Sequence, residues 1–237
     1  ATFGTGVFAL MHTGSVRPES ESLAVTIAAQ TGDDLEYALE GTVFTGGAVV
    51  QWLVEEIGLA ASPADLQALA ETVPNAGGVV LVPALTGLAA PEWDPNARGA
   101  IFGLTRGANS AHLARAALES IALQVGDIAD RMVADSGHQL EAIRCDGGVT
   151  VNQLVMQTLA DVLSVRVDCA EVAESTALGA AYLAGLATGV WSSPSDLPAL
   201  RGVARSYQPD PDATARISAL RSKWEKAVKR SLRWEQD

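Results

Sequence analysis

A chain of 237 residues with 28 acidic against 16 basic side chains carries a net charge of −12 and repels a phosphate backbone, which excludes nucleic acid as a general partner. Its 48% hydrophobic content supports a packed core, yet no apolar run reaches the roughly 18–20 residues that span a bilayer. Cys145 and Cys169 are the only cysteines and neither sits in a CxxC pair, so a zinc site, which needs about four ligands, is excluded.

In chain order, FGTGVFALMH (3–12) reads as a strand after a glycine-rich start. LAVTIAAQ and LEYALEGTVF, joined by TGDD, read as a β-hairpin, because Gly and Asp tolerate turn geometry. Val43, Val50, Leu53 and Ile57 form a helical stripe that Gly58 ends. Ser62-Pro63 starts a second helix over Ala64–Glu71, the serine capping free N–H groups and the proline fitting the first turn. VVLVPAL reads as a buried strand. TGLAAPEWDPNARGAIFGLTRG has no regular period, and a segment of that length inside a domain points to a functional or interface loop. A long helix over Asn109–Ala134 follows, with Ala117, Ile121, Val125, Ile128 and Met132 on one face. LEAIRC (strand), Thr150–Leu163 (helix), VRVDCA (strand) and Ser175–Gly189 (helix rich in Ala and Gly) then alternate, which argues an α/β domain with a mixed sheet. Both cysteines fall in or beside the apolar strand runs and read as buried, inert thiols. The last thirty residues hold seven of the sixteen basic side chains, and Ile217, Leu220, Trp224 and Val228 share one helical face. Such a helix docks on its own domain or on an acidic or membrane partner; docking is the expectation. No basic, apolar leader opens the sequence, and a cytoplasmic location is expected.

Three glycine clusters could carry chemistry. Gly4-Thr5-Gly6 with Ala9 satisfies GxGxxA, but nothing precedes it and a strand rather than a helix follows, so the dinucleotide fold is rejected. The turn could still present N–H groups to a phosphate as an anion nest. Asp146-Gly147-Gly148 follows a strand and opens a helix, the carboxyl-end position that α/β sheets favour for ligands. Asn152 lies one turn on. Gly46-Gly47, with Gln51 one turn further, repeats the arrangement. For both pairs the residues leave two readings open: close packing, or clearance for a ligand. His12, His112 and His138 are isolated and fit no hydrolase spacing.

Taken together, FGTGVFALMHTG, YALEGTVFTGGAVVQWL, VPALTGLAAPEWDPNARGAIFGLTRG, IRCDGGVTVNQLVMQ and ESTALGAAYLAGLATGVW resemble the carboxy-terminal domain of the glycerol kinases, within the carbohydrate-kinase family. The resemblance implies an α/β, actin/hexokinase-like (ribonuclease H-like) ATPase domain, a mixed sheet flanked by helices. It implies that residues 1–237 are the nucleotide-binding half of a two-domain kinase, with a terminal docking helix over 210–235 and an amino-terminal domain upstream of Ala1. The ligands implied are ATP or ADP with Mg²⁺ bound to the nucleotide. Thr5 matches the loop at the terminal phosphates, Gly47 and Gln51 match nucleotide contacts, and Gly148 and Asn152 match the adenosine turn. Phe8 matches the residue on the carbon face of glycerol. The catalytic aspartate and most glycerol contacts belong to the other domain, so no catalytic residue and no metal ligand are expected in this chain. Alone it should be inactive, because in-line phosphoryl transfer needs both walls of the cleft. A homo-oligomer is expected at full length, and the surface facing the other domain should be partly apolar. The alternatives are half of another polyol or sugar kinase, or a non-catalytic nucleotide-binding module.

Overall fold

Alternating apolar residues build the first sheet. β1 (Thr2–Phe3), β2 (Val7–Gly14), β3 (Ala24–Thr31) and β4 (Asp34–Val43) pair antiparallel in the order β1-β2-β4-β3. The structure is a computed structural model that describes residues 1–31, 33–197 and 202–236; Gly32 of the expected TGDD turn lies outside them. Val7 and Ala9 of β2 point to the core while Phe8 and Leu10 are about half exposed, the pattern of a sheet with one covered face.

The next elements cover that sheet. α1 (Ala48–Glu55) buries Val49, Val50 and Leu53. α2 (Pro63–Glu71) begins as its cap predicts, with Ser62 accepting from the Asp65 N–H at 3.1 Å and Pro63 in the first turn. β5 (Val80–Val82) pairs with β6 (Ala100–Phe102), and α3 (Ser110–Ser136) follows. The stripe Ala117, Ile121, Val125, Ile128 and Met132 is buried, and Gly41 of β4 has no β-carbon because Ile128 packs directly on it. Asn109 and His112 form a capping box at the start of α3, and Gly137 ends it in the left-handed conformation.

The second half supplies β7 (Ala142–Cys145), α4 (Gln153–Leu163), β8 (Arg166–Ala170), α5 (Ser175–Ala187), β9 (Val203–Tyr207) and α6 (Thr214–Ser231). β7 and β8 are parallel and β9 adds antiparallel to β8. A parallel bridge between Thr2 and Asp146 joins this sheet to the first, so strands run in the order β3-β4-β2-β1-β7-β8-β9 as one mixed sheet. Cys145 and Cys169 are buried register neighbours; burial pushes the Cys145 thiol up to about 12, which keeps it protonated and inert.

Four details differ from the sequence reading. Val43 closes β4 and the helix starts only at Ala48, because the Gly46-Gly47 turn intervenes. β6 is hidden in the irregular loop because three residues are too few to show a period. β9 is an edge strand whose only buried residue is Tyr207, which erases its alternation. Gly148–Val151 is a 3₁₀ turn, so α4 begins at Gln153 with Asn152 as its cap.

α6 buries Ile217, Trp224 and Val228 against Val80, Val82, Leu123 and Val162. Arg216 joins it to Asp161 of α4 at 3.1 Å, and Trp224 Nε1 donates to Asp127 of α3 at 2.6 Å. Burial, helped by Asp130 and Glu92, pushes the Asp127 carboxyl from near 4 up to about 6, against the pull of Trp224 and Arg221. The folded state therefore holds this proton more tightly than the unfolded chain, and stability from this group falls as pH rises through about 6. Asp127→Asn keeps the acceptor for Trp224 and removes the charge. It should stabilise the protein at pH 7.5 by about 1–3 kcal/mol, an advantage that shrinks towards pH 4.5. Urea unfolding at the two pH values checks this; an advantage independent of pH would refute it.

Candidate functional site

Two glycine turns and a helix start are held together by main chain. The Gly46 and Ala48 N–H groups donate to the Thr5 carbonyl at 2.8 and 3.0 Å, and Gly47 N–H donates to the Gly4 carbonyl at 2.8 Å. Phe3 N–H donates to the Asp146 carbonyl at 2.8 Å, which brings the turn after β7 alongside β1. Gly4 N–H is taken by the Gly6 carbonyl; among the described residues the Thr5 and Gly6 N–H groups have no backbone acceptor and remain as the turn's donors.

What a β-carbon would meet differs from glycine to glycine. A β-carbon on Gly6 would lie 2.5 Å from the Val43 carbonyl oxygen, on Gly46 2.9 Å from the Val7 side chain, and on Gly47 2.7 Å from the Gly4 carbonyl oxygen. Gly147 has φ +90°, and a β-carbon there would collide with the backbone of Phe3. These four are packing glycines. Gly148 is different: nothing lies within 4 Å of its β-carbon position, and only the Gly6 carbonyl oxygen, at 3.9 Å, approaches that of Gly4.

Gly4 and Gly148 both face one cleft of about 690 Å³. Thr5, Gly47, Gln51 and Asn152 line it too, so five of the six sequence-derived candidates meet there from three separate segments. Asn152 is 8% exposed and its Oδ1 accepts from the Val155 N–H at 3.1 Å, so half of its amide is committed to capping α4. Phe8 is not part of the cleft; it stands three residues beyond Thr5 on β2, 48% exposed. Sequence reasoning missed the α2 contribution, Ser62, Pro63, Ala64 and Gln67, although the Ser-Pro start of that helix marked the place. Val50, Val149 and Val151 make the wall apolar.

Among the described residues, no ionisable side chain lines this cleft. It can hold a flat apolar group between valines and offer main-chain donors to an anion, but it has no acid or base of its own. It also offers Mg²⁺ no carboxylate, and no cluster of three His, Cys, Asp or Glu suited to a metal occurs among the described residues. His12 pairs with Glu36 at 3.1 Å and His112 serves the α3 cap, both away from the cleft.

Fold and cleft belong to a known class. Residues 1–188 match the C-terminal domain of the FGGY family of carbohydrate kinases, and the chain belongs to that family. Among curated relatives it is similar to glycerol kinase of Pasteurella multocida (strain Pm70), 49% identical over 237 residues, covering 100% of this chain and 47% of the relative. The glycerol kinase of Solidesulfovibrio magneticus is 51% identical over 234 residues, with 98% and 47% covered. The chain thus spans about half the length of the curated relatives it matches. Among solved structures, Plasmodium falciparum glycerol kinase with ADP superposes with a TM-score of 0.88 at 37% identity, covering 98% of this chain and 46% of that one. Gluconate kinase from Lactobacillus acidophilus gives 0.83 at 26% identity, covering 97% and 46%.

Proposed function

We propose that residues 1–237 are the carboxy-terminal, ATP-binding half of a glycerol kinase, an enzyme that at full length transfers the γ-phosphoryl of ATP to glycerol to give glycerol 3-phosphate. The observation that carries the reading is the meeting of Thr5, Gly47, Gln51, Gly148 and Asn152 in one cleft, where Gly148 leaves space that none of the described residues fills. In this reading adenosine lies across Gly148 between Val149 and Val151, with Asn152 beside it. The terminal phosphates reach the Gly4-Thr5-Gly6 turn, whose free N–H groups suit an anion. Phe8, on the same hairpin, presents its ring to the carbon face of glycerol. The cleft's lining would leave a Mg²⁺ ion bound with the nucleotide to be held by groups other than the residues that line it, where it would supply charge neutralisation of the phosphates. The general base comes from the other half.

The ADP in the Plasmodium falciparum relative supports a nucleotide here. Identity near 50% to glycerol kinases against 26% to the gluconate kinase favours glycerol over a sugar acid. Titration calorimetry on the 237-residue chain should show ATP and ADP binding at up to millimolar concentration, and a glycerol phosphorylation assay should show no turnover. A flat titration would remove the preformed site. Phosphorylation by the chain alone would show that it holds a base not found in the cleft.

A further inference from the structure

Gln124 lies in the middle of α3, 7% exposed, in a run that is otherwise Ile121, Ala122, Leu123 and Val125. A buried amide needs partners, and this one donates twice. Its Nε2 reaches the Ser120 carbonyl of its own helix and the Thr45 carbonyl between β4 and α1, each at 3.2 Å. Among the described residues no other hydrogen bond reaches the Thr45 carbonyl. Thr45 is 3% exposed, so without Gln124 that carbonyl would lose its donor where water barely reaches.

That contact continues into the glycine turn. The Thr45 carbonyl and the Gly46 N–H are opposite ends of one planar peptide group, and Gly46 N–H donates to the Thr5 carbonyl at 2.8 Å. The Thr5 carbonyl shares its own peptide group with the Gly6 N–H, one of the two donors that the turn leaves free among the described residues. Three donors therefore stand in series: Gln124 Nε2–H, Gly46 N–H and Gly6 N–H. Each accepted hydrogen bond polarises its peptide and makes the N–H at the far end a stronger donor. A glycine follows each of the two carbonyls, and glycine is the residue whose backbone turns most freely, so an anchor has something to fix. Gln124 and Thr45 do not line the cleft, so the pair acts only through the turn.

We infer that Gln124 is a positioning residue for the terminal phosphates of the nucleotide: from outside the cleft, and through two peptide groups, it orients and polarises the Gly6 N–H. The inference rests on the reading of the cleft as a nucleotide site with the phosphates at the Gly4-Thr5-Gly6 turn. Its effect is confined to the phosphate end, because no member of the series bonds to the Gly147-Gly148 turn where adenosine lies.

Gln124→Met keeps the length and apolar stem of the side chain and removes the donor. Calorimetric titration of the 237-residue variant should show ATP and ADP binding weakened by about fivefold or more, with adenosine binding within about twofold of the unaltered chain. Any other pattern, equal weakening of all three ligands included, would overturn the inference. Amide NMR without ligand reads the series directly: in the variant the Gly46 and Gly6 proton resonances should move upfield while that of Gly148 stays in place. An unmoved Gly6 resonance would overturn it. The unaltered chain supplies a test that no misfolded variant can spoil. ADP should shift the side-chain amide protons of Gln124 and adenosine should not; bound ADP without that shift, or an equal shift with adenosine, would overturn it. If neither ATP nor ADP binds the unaltered chain, the reading of the cleft fails and takes the inference with it. If they bind and Gln124 does not respond, only the inference fails, so the two failures are distinguishable.

Discussion

Gly147→Ala is expected to destabilise the protein by at least about 3 kcal/mol and to lower its melting temperature by roughly 6–12 °C. The backbone there has φ +90° and ψ 169°, a region essentially reserved for glycine. The added methyl would also lie 2.8–2.9 Å from the Phe3 carbonyl carbon and nitrogen, with the carbonyl oxygen closer still. Both atoms belong to β1, which is pinned to this turn by the Phe3–Asp146 hydrogen bond and cannot withdraw without breaking it. A typical domain has only about 5–15 kcal/mol to lose, so the variant is expected to show a large unfolded fraction on mild heating. Thermal unfolding by circular dichroism reads the outcome, and a shift below 2 °C would contradict the packing argument.

Its neighbour should behave in the opposite way. Gly148→Val is expected to leave the melting temperature within a few degrees and to weaken ATP and ADP binding at least tenfold, about 1.4 kcal/mol. Apart from its chain neighbours, none of the described residues comes within 4 Å of the site of its β-carbon, so the fold has room for the side chain. The ligand does not, because the branched group projects into the 690 Å³ cleft. Gly148→Ala should fall between the two, neutral to slightly stabilising and modestly weaker in binding. Calorimetric titration of the folded variants measures this; native affinity in Gly148→Val would remove adenosine from this turn.

The contrast between adjacent glycines shows what the sequence could carry. Their presence after an apolar strand marked the turn, and the helix signals were equally local: Ser62-Pro63 and the apolar stripe of α3. All of these rest on neighbours within a turn or two. Which glycine faces open space and which packs depends on Phe3, Gly4 and Val43, residues brought close only by the finished sheet. Asn152 is a similar case, since its helical spacing suggested a ligand contact while its oxygen caps α4. β6 and β9 escaped because three residues give no period and an edge strand buries too little to alternate. α5, rich in Ala and Gly, is a further case: its composition does not tell that Gly185 is its one buried residue.

The main-chain bonds from Gly46, Gly47 and Ala48 to the hairpin carbonyls have a mechanical meaning. The Gly46, Gly47 and Ala48 amides bond directly to the Thr5 and Gly4 carbonyls, so a load on the glycine turn passes to the start of α1 through the main chain. α1 in turn is rooted in the core by Val49 and Leu53, both almost fully buried. This wall of the cleft is therefore held by main-chain bonds as well as by side-chain fit, and Val50→Ile or Gln51→Glu should change its lining without loosening it.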